Sequence, residues 1–231
     1  MPALRKSFLT VLLLLAALVP LQPEEGLWPF NMPPVDQLKT KYKFEVSGEW
    51  LTHQQLSSIR LGGASASFVS PEGLVLTNHH VGSGAIQNLS TKEKDLMKSG
   101  FYARTREEEL KCPGMEFLVL QEIEDVTTRV RDAEKTGQSP AEAAEAREKF
   151  IASLEKECSE QTGFRCSVVS LYAGGLYHLY KYKIYTDIRL VFAPEYDMAF
   201  FGGDPDNFTY PRYDLDICLF RVYENNQPLQ T

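Results

Sequence analysis

The chain lacks several features that would each have fixed its class at once. No apolar run reaches the roughly 20 residues that a membrane span requires; the longest extends only from Phe8 to Val19. There is no internal repeat, which excludes a solenoid or propeller, and no low-complexity tract. Basic residues are not in excess. The formal net charge of −7 argues against a nucleic-acid partner. No cluster of metal-ligating residues accompanies the pair His79-His80. Neighbours in an extended strand point to opposite sides and do not readily share one ion, so neither a metal nor an organic cofactor is expected.

What is present is enough for a globular protein. Hydrophobic residues make up 43% and aromatic residues 11% of 231 positions, sufficient to bury a sizeable core. Arg5 and Lys6 followed by the short apolar run read as a secretory signal peptide over residues 1–22. No cysteine closely follows that run, so a lipid anchor is not expected. The mature part, residues 23–231, should then be an exported, periplasmic-type protein with no membrane span.

In that setting the four cysteines, Cys112, Cys158, Cys166 and Cys218, could form up to two disulfides. The favoured pair is Cys158 with Cys166, which would staple a helix end to the next strand. Cys218 reads as a buried small hydrophobe.

The patterning is mainly β with inserted helices. Trp28-Pro29-Phe30-Asn31-Met32-Pro33-Pro34 excludes a regular element. A helix is expected over 51–61, a second from the Ser90-x-x-Glu93 capping box to Gly100, and strands over 117–120 and 124–130. The clearest helix follows Ser139-Pro140-Ala141-Glu142, with Ala146, Phe150, Leu154 and Cys158 on one face and solvated charges on the other. Strands return over 167–172, 180–185 and 188–192. The tyrosines of the middle one mark a half-buried sheet.

The most informative stretch is Gly62 to Val81. Small residues lead to Phe68-Val69, the turn formers Pro71 and Gly73 follow, and the β-rich run Leu74-Val75-Leu76-Thr77 delivers His79-His80. A chymotrypsin-like barrel presents its general base in this way. Such a base needs a buried carboxylate to hold its tautomer and to stabilise the transient imidazolium. His80 is the candidate base. Asp216, at the mouth of the apolar strand Ile217-Cys218-Leu219-Phe220-Arg221-Val222, is the candidate acid. His79 reads as structural.

At these residues the chain resembles the periplasmic dipeptidyl-peptidases of the dipeptidyl-peptidase 7 and 11 type, serine exopeptidases with a chymotrypsin-like double β-barrel and a helical cap. The resemblance includes Gly26 to Asn31, Gly62 to Val81, Gly100 to Ala103, Cys112-Pro113-Gly114, Glu124 to Thr127 and Arg189 to Glu195. Its most specific part is Phe201-Gly202-Gly203-Asp204-Pro205-Asp206-Asn207-Phe208-Thr209-Tyr210-Pro211-Arg212-Tyr213-Asp214-Leu215-Asp216. It implies His80 as base and Asp216 as orienting acid. It also implies that Asn207 and Phe208 anchor the free α-amine of a peptide substrate, through an amide oxygen and an aromatic face, and that the full-length enzyme is a homodimer. Many relatives carry tryptophan where this chain has Phe208, and often cysteine where it has Val81. The Asn-x-Ser/Thr triplets at Asn88 and Asn207 read as coincidental in such a setting.

A nucleophile is missing. The only serine flanked by glycines is Ser83, in Gly82-Ser83-Gly84, too close along the chain to His80 to reach attack geometry. In double-barrel proteases the base and acid belong to the first barrel and the serine to the second. The expectation is therefore the N-terminal barrel region of a serine dipeptidyl-peptidase, inactive by itself. The rivals are a trypsin-like exported endopeptidase and a non-catalytic peptide-binding module.

Overall fold

In the computed structural model the described residues are 26–203 and 209–231. The chain divides into two units, residues 1–45 and 46–231. In the first, residues 26–34 form no helix or strand, as the prolines require, and one helix follows, α1 (Val35–Tyr42). It buries none of its residues.

The second unit begins with α2 (Gly48–Ser57), capped by the Ser47 hydroxyl, which accepts from the Trp50 amide at 3.1 Å. The helix begins three residues before, and stops four residues before, the expected span of 51–61. Ser58 to Leu61 have β-ladder partners waiting, and they form β1 (Ser58–Leu61) against β2 (Ala64–Phe68). Gly62, at φ 57°, makes the turn between them. β3 (Leu74–Thr77) completes the meander.

Next come α3 (His79–Leu89), α4 (Leu96–Ser99), β4 (Phe101–Tyr102), β5 (Leu110–Lys111) and β6 (Phe117–Asp125). The Ser90-x-x-Glu93 box does not open a helix. Ser90 ends α3, its hydroxyl donating to the Ile86 carbonyl and accepting from the Leu96 amide, while Asp95 caps α4. Nor does a second strand run through 124–130. The Asp125 carboxylate accepts from the Thr127 amide at 2.9 Å and turns the chain into α5 (Thr127–Glu134). Val126 and Val130, four apart, are buried at its start.

Helix α6 (Pro140–Thr162) starts at Ser139, whose hydroxyl accepts from Glu142, and ends at Gly163 in the left-handed region. The strand β7 (Arg165–Leu171) starts two residues before and ends one residue before the expected 167–172, and β8 (Leu176–Tyr185) and β9 (Asp187–Ala193) bracket those expected. α7 (Tyr196–Ala199), β10 (Cys218–Glu224) and β11 (Gln227–Pro228) close the described chain.

All strand pairings are antiparallel, in the order β4-β9-β10-β3-β2-β1-β6-β8-β7, with β5 on β9 and β11 on β10. Only Thr186 separates β8 from β9, so β8 and β9 act as one bent strand that pairs with β6 and then with β10. Counted this way the ladder returns on itself. Packing agrees: in a flat sheet β6 and β10 would lie roughly 19 Å apart by the four steps through β1, β2 and β3. The rings of Phe117 and Phe220 instead meet edge to face, with centroids 5.9 Å apart. Ile59, Val75, Ile86, Leu190, Phe220 and their neighbours form one core inside the ring.

A second cluster holds α5 and α6 on the β7–β8 hairpin through Val130, Leu154, Tyr177 and Leu179. The Cys158–Cys166 disulfide ties α6 to β7, as the spacing suggested. Cys112 and Cys218 are free and buried, and burial raises both thiols, Cys112 to about 11. No helix among the described residues is long and apolar enough to cross a membrane.

Two glycines of α3 face opposite environments. A Cβ at Gly82 would sit 2.9 Å from the Cys218 sulfur and 3.1 Å from the Phe220 ring; one at Gly84 would meet nothing within 4 Å. Chemical denaturation should therefore show Gly82→Ala losing about 1–3 kcal/mol to overpacking, and Gly84→Ala gaining up to about 1 kcal/mol from helix propensity. A neutral Gly82→Ala would contradict the close packing of α3 on β10.

Candidate active site

The site arises where β3 and β10 run out. Their last ladder pair is Thr77 opposite Cys218. Beyond it β3 leads into α3 and the chain before β10 carries Asp216, so one register brings together residues 136 positions apart. Asn78 is the N-cap of α3, and His79 and His80 are its first two helical residues. The histidines were expected at a strand end; they are that, and also the first turn of a helix. This adds free backbone N–H groups and the positive end of a helix dipole to the site.

Asp216 uses those donors. Its Oδ1 accepts the His80 backbone N–H at 3.0 Å, and its Oδ2 lies 2.6 Å from His80 Nδ1. The Asn78 amide donates to Oδ2 at 3.1 Å and to the Asp216 main-chain carbonyl at 3.2 Å. The Asp216 side chain is 5% exposed and that of His80 is 56% exposed. Burial alone would raise the Asp216 carboxyl. The hydrogen bonds from the His80 backbone and ring, the nearby imidazole and the Asn78 amide outweigh it, and they hold the carboxyl below its ordinary value. A carboxylate accepts only, so the His80 proton belongs on Nδ1 and Nε2 is left as the basic nitrogen of an accessible ring.

His79 is 2% exposed. Burial is the largest influence and lowers its pKa; the Asp216 charge and a hydrogen bond to the Pro194 carbonyl oppose that, and His80 adds to it. It packs near Tyr196, with ring centroids 6.3 Å apart, and fixes α3 against the segment after β9. The Ser83 hydroxyl is committed to the His80 carbonyl at 2.8 Å, within the helix backbone. Among the described residues no group of three His, Cys, Asp or Glu side chains comes together to hold a metal. Asn207 and Phe208 lie outside the described residues.

Two features of the site escaped the sequence reading. Asn78 was passed over, although an Asn just before the apolar positions Val81, Ala85, Ile86 and Leu89 is an N-cap signal. So was the buried Glu109, which pairs with Arg221 at 2.8 Å and accepts from the Tyr223 hydroxyl at 2.8 Å, tying β5 to β10. Nothing local to Glu109 marks its partners more than a hundred positions away. A groove of about 1160 Å³ between α2, the turn at Val69–Pro71 and Leu229 lies at the opposite end of β3 and includes neither His80 nor Asp216.

Comparison with known proteins agrees in sequence and in structure. Dipeptidyl-peptidase 7 of Phocaeicola vulgatus is 32% identical over 97% of this chain and 34% of its own length. The Asp/Glu-specific dipeptidyl-peptidase of Porphyromonas endodontalis is 34% identical over 73% of this chain and 24% of its own. The crystal structure of Porphyromonas endodontalis DPP11 in complex with the dipeptide Arg-Glu superposes with a TM-score of 0.73 at 27% identity, covering 89% of this chain and 32% of that one. The chain thus spans about a third of the length of the first of these relatives and of the solved structure. The Peptidase S46 family profile matches residues 23–231, and with these relatives it establishes that the chain belongs to the peptidase S46 family.

Proposed function

We propose that this chain is the N-terminal barrel region of an exported serine dipeptidyl-peptidase with a chymotrypsin-like double barrel, which releases dipeptides from the free amino end of peptides. The observation that carries the reading is the 2.6 Å contact between a buried carboxylate and Nδ1 of an accessible imidazole, in a family whose members are named dipeptidyl-peptidases. His80 Nε2 takes the proton of a serine hydroxyl supplied from outside these 231 residues as that oxygen attacks the scissile carbonyl. It then returns the proton to the leaving amine. Asp216 keeps the Nδ1 proton in place and stabilises the imidazolium between the two steps. The 231 residues alone have no turnover.

Substrate choice follows from what an exopeptidase must measure. Asn207 and Phe208 hold the substrate's α-ammonium, and thereby set the distance from the chain end to the scissile bond. The names of the relatives and the dipeptide-bound DPP11 structures support a peptide substrate of this kind. The protein acts in the periplasm after loss of residues 1–22, as a homodimer, and uses no metal or organic cofactor.

In a polypeptide that includes the nucleophile, His80→Ala and Asp216→Ala should each lower turnover of a dipeptidyl substrate by on the order of 10⁴-fold. Turnover like that of the wild type in either variant would remove the assignment. Acetylating the substrate's amino terminus should abolish cleavage, and Asn207→Ala should weaken the preference for unblocked peptides. Equal cleavage of blocked peptides would favour an endopeptidase.

A further inference from the structure

The carboxylate that orients His80 is itself held, and the group that holds it has no part in proton transfer. Asn78 sits at the N-cap of α3, where a side chain ordinarily turns back to accept from the first helical turn. Its side chain makes no such bond. Its amide nitrogen instead reaches Asp216, at 3.1 Å to Oδ2 and 3.2 Å to the main-chain carbonyl. A primary amide has two N–H bonds, enough to serve one acceptor on the side chain and one on the backbone of the same residue.

A carboxylate bonded at only one oxygen can turn about its Cβ–Cγ bond. The His80 backbone N–H fixes Oδ1 at 3.0 Å. Asn78 fixes Oδ2, the oxygen that faces Nδ1 at 2.6 Å. Together they set the plane of the carboxylate, and through it the direction in which the imidazole presents Nε2. The second donor on Oδ2 also makes that oxygen a weaker base, which favours leaving the shared proton on Nδ1.

We infer that Asn78 is a positioning residue, which clamps the Asp216 carboxylate in the orientation that holds the His80 ring. The inference rests on the peptidase reading for its catalytic consequence, but the clamp itself can be measured without substrate. Asp and Asn are comparable N-caps, and Asp is favoured by the helix dipole. If Asn78 serves only the helix, Asn78→Asp is therefore harmless. If it serves Asp216, the same isosteric change replaces a donor with a second carboxylate and is the most damaging choice.

The test uses the 231-residue chain with ¹⁵N-labelled histidine, following the far-downfield Nδ1–H proton resonance of His80 together with thermal unfolding. The expected result is a sharp resonance in the wild type that is lost or shifted upfield in Asn78→Ala, and a lower melting temperature for Asn78→Asp than for wild type. An Asn78→Asp chain too unstable to fold gives the same answer, since a competent cap would fold. An unshifted resonance in Asn78→Ala, or an Asn78→Asp chain that melts at or above the wild type, overturns the assignment. In a polypeptide that includes the nucleophile, Asn78→Ala should lower kcat on the order of 10-fold or more with KM little changed, the scale of one hydrogen bond to a charged group. Loss of the resonance without loss of turnover would leave the clamp in place and remove its catalytic consequence, whereas a wild-type polypeptide with no turnover would sink the peptidase reading and leave the clamp untouched.

Discussion

A carboxylate taken out of water is stable only if its charge is met by donors, and the arrangement at Asp216 turns on that requirement. Three donors among the described residues come from the start of one helix: the His80 amide, the His80 ring and the Asn78 side chain. That helix start is also where the dipole favours negative charge. Asp216 thus acts as a cap contributed from a distant part of the chain, so the bonds that orient the imidazole also fix the end of α3. Its folded-state pKa lies below the ordinary value. Its contribution to stability is therefore complete above the unfolded pKa and is lost as pH falls through the folded one.

The rest of the fold serves to put that helix start and that carboxylate in register. The β3–β10 ladder does so directly, ending at Thr77 opposite Cys218. The glycine at position 82 lets α3 lie against Cys218 and Phe220 on the same strand. Glu109, bonded to Arg221 and Tyr223, secures the far half of β10. His79, buried beside Tyr196, packs the helix from the other side. Burial disfavours a charge on His79.

Much of this was legible in the sequence because the signals are local. Pro71 and Gly73 between apolar runs mark the β2–β3 hairpin, Ser139-Pro140 with Glu142 marks the start of α6, and eight residues between Cys158 and Cys166 suit a helix-to-strand staple. An acid at the mouth of the apolar strand 217–222 is legible as a partner for His80, and the two side chains meet at 2.6 Å. The errors share one cause, the tertiary override of a local pattern. Ser90 has the right spacing for a helix start but is captured by the end of α3. Residues 58–61 continue a helical pattern but have β2 and β6 waiting. The segment after Asp125 looks extended until Val126 and Val130 are seen to need one face of a helix. Closure of the ring through Thr186 has no sequence signature, since it depends on which strands the two halves of one bent segment meet.

The most direct test of this account is the titration of one group. The Asp216 carboxyl carbon can be followed by ¹³C NMR in the 231-residue chain as the pH is lowered from neutrality. If the carboxylate is held as described, it protonates clearly below the value of about 3.9 for an unperturbed aspartate. A midpoint at or above that value would mean that burial prevails over the donors of α3, and the account would be contradicted at its centre.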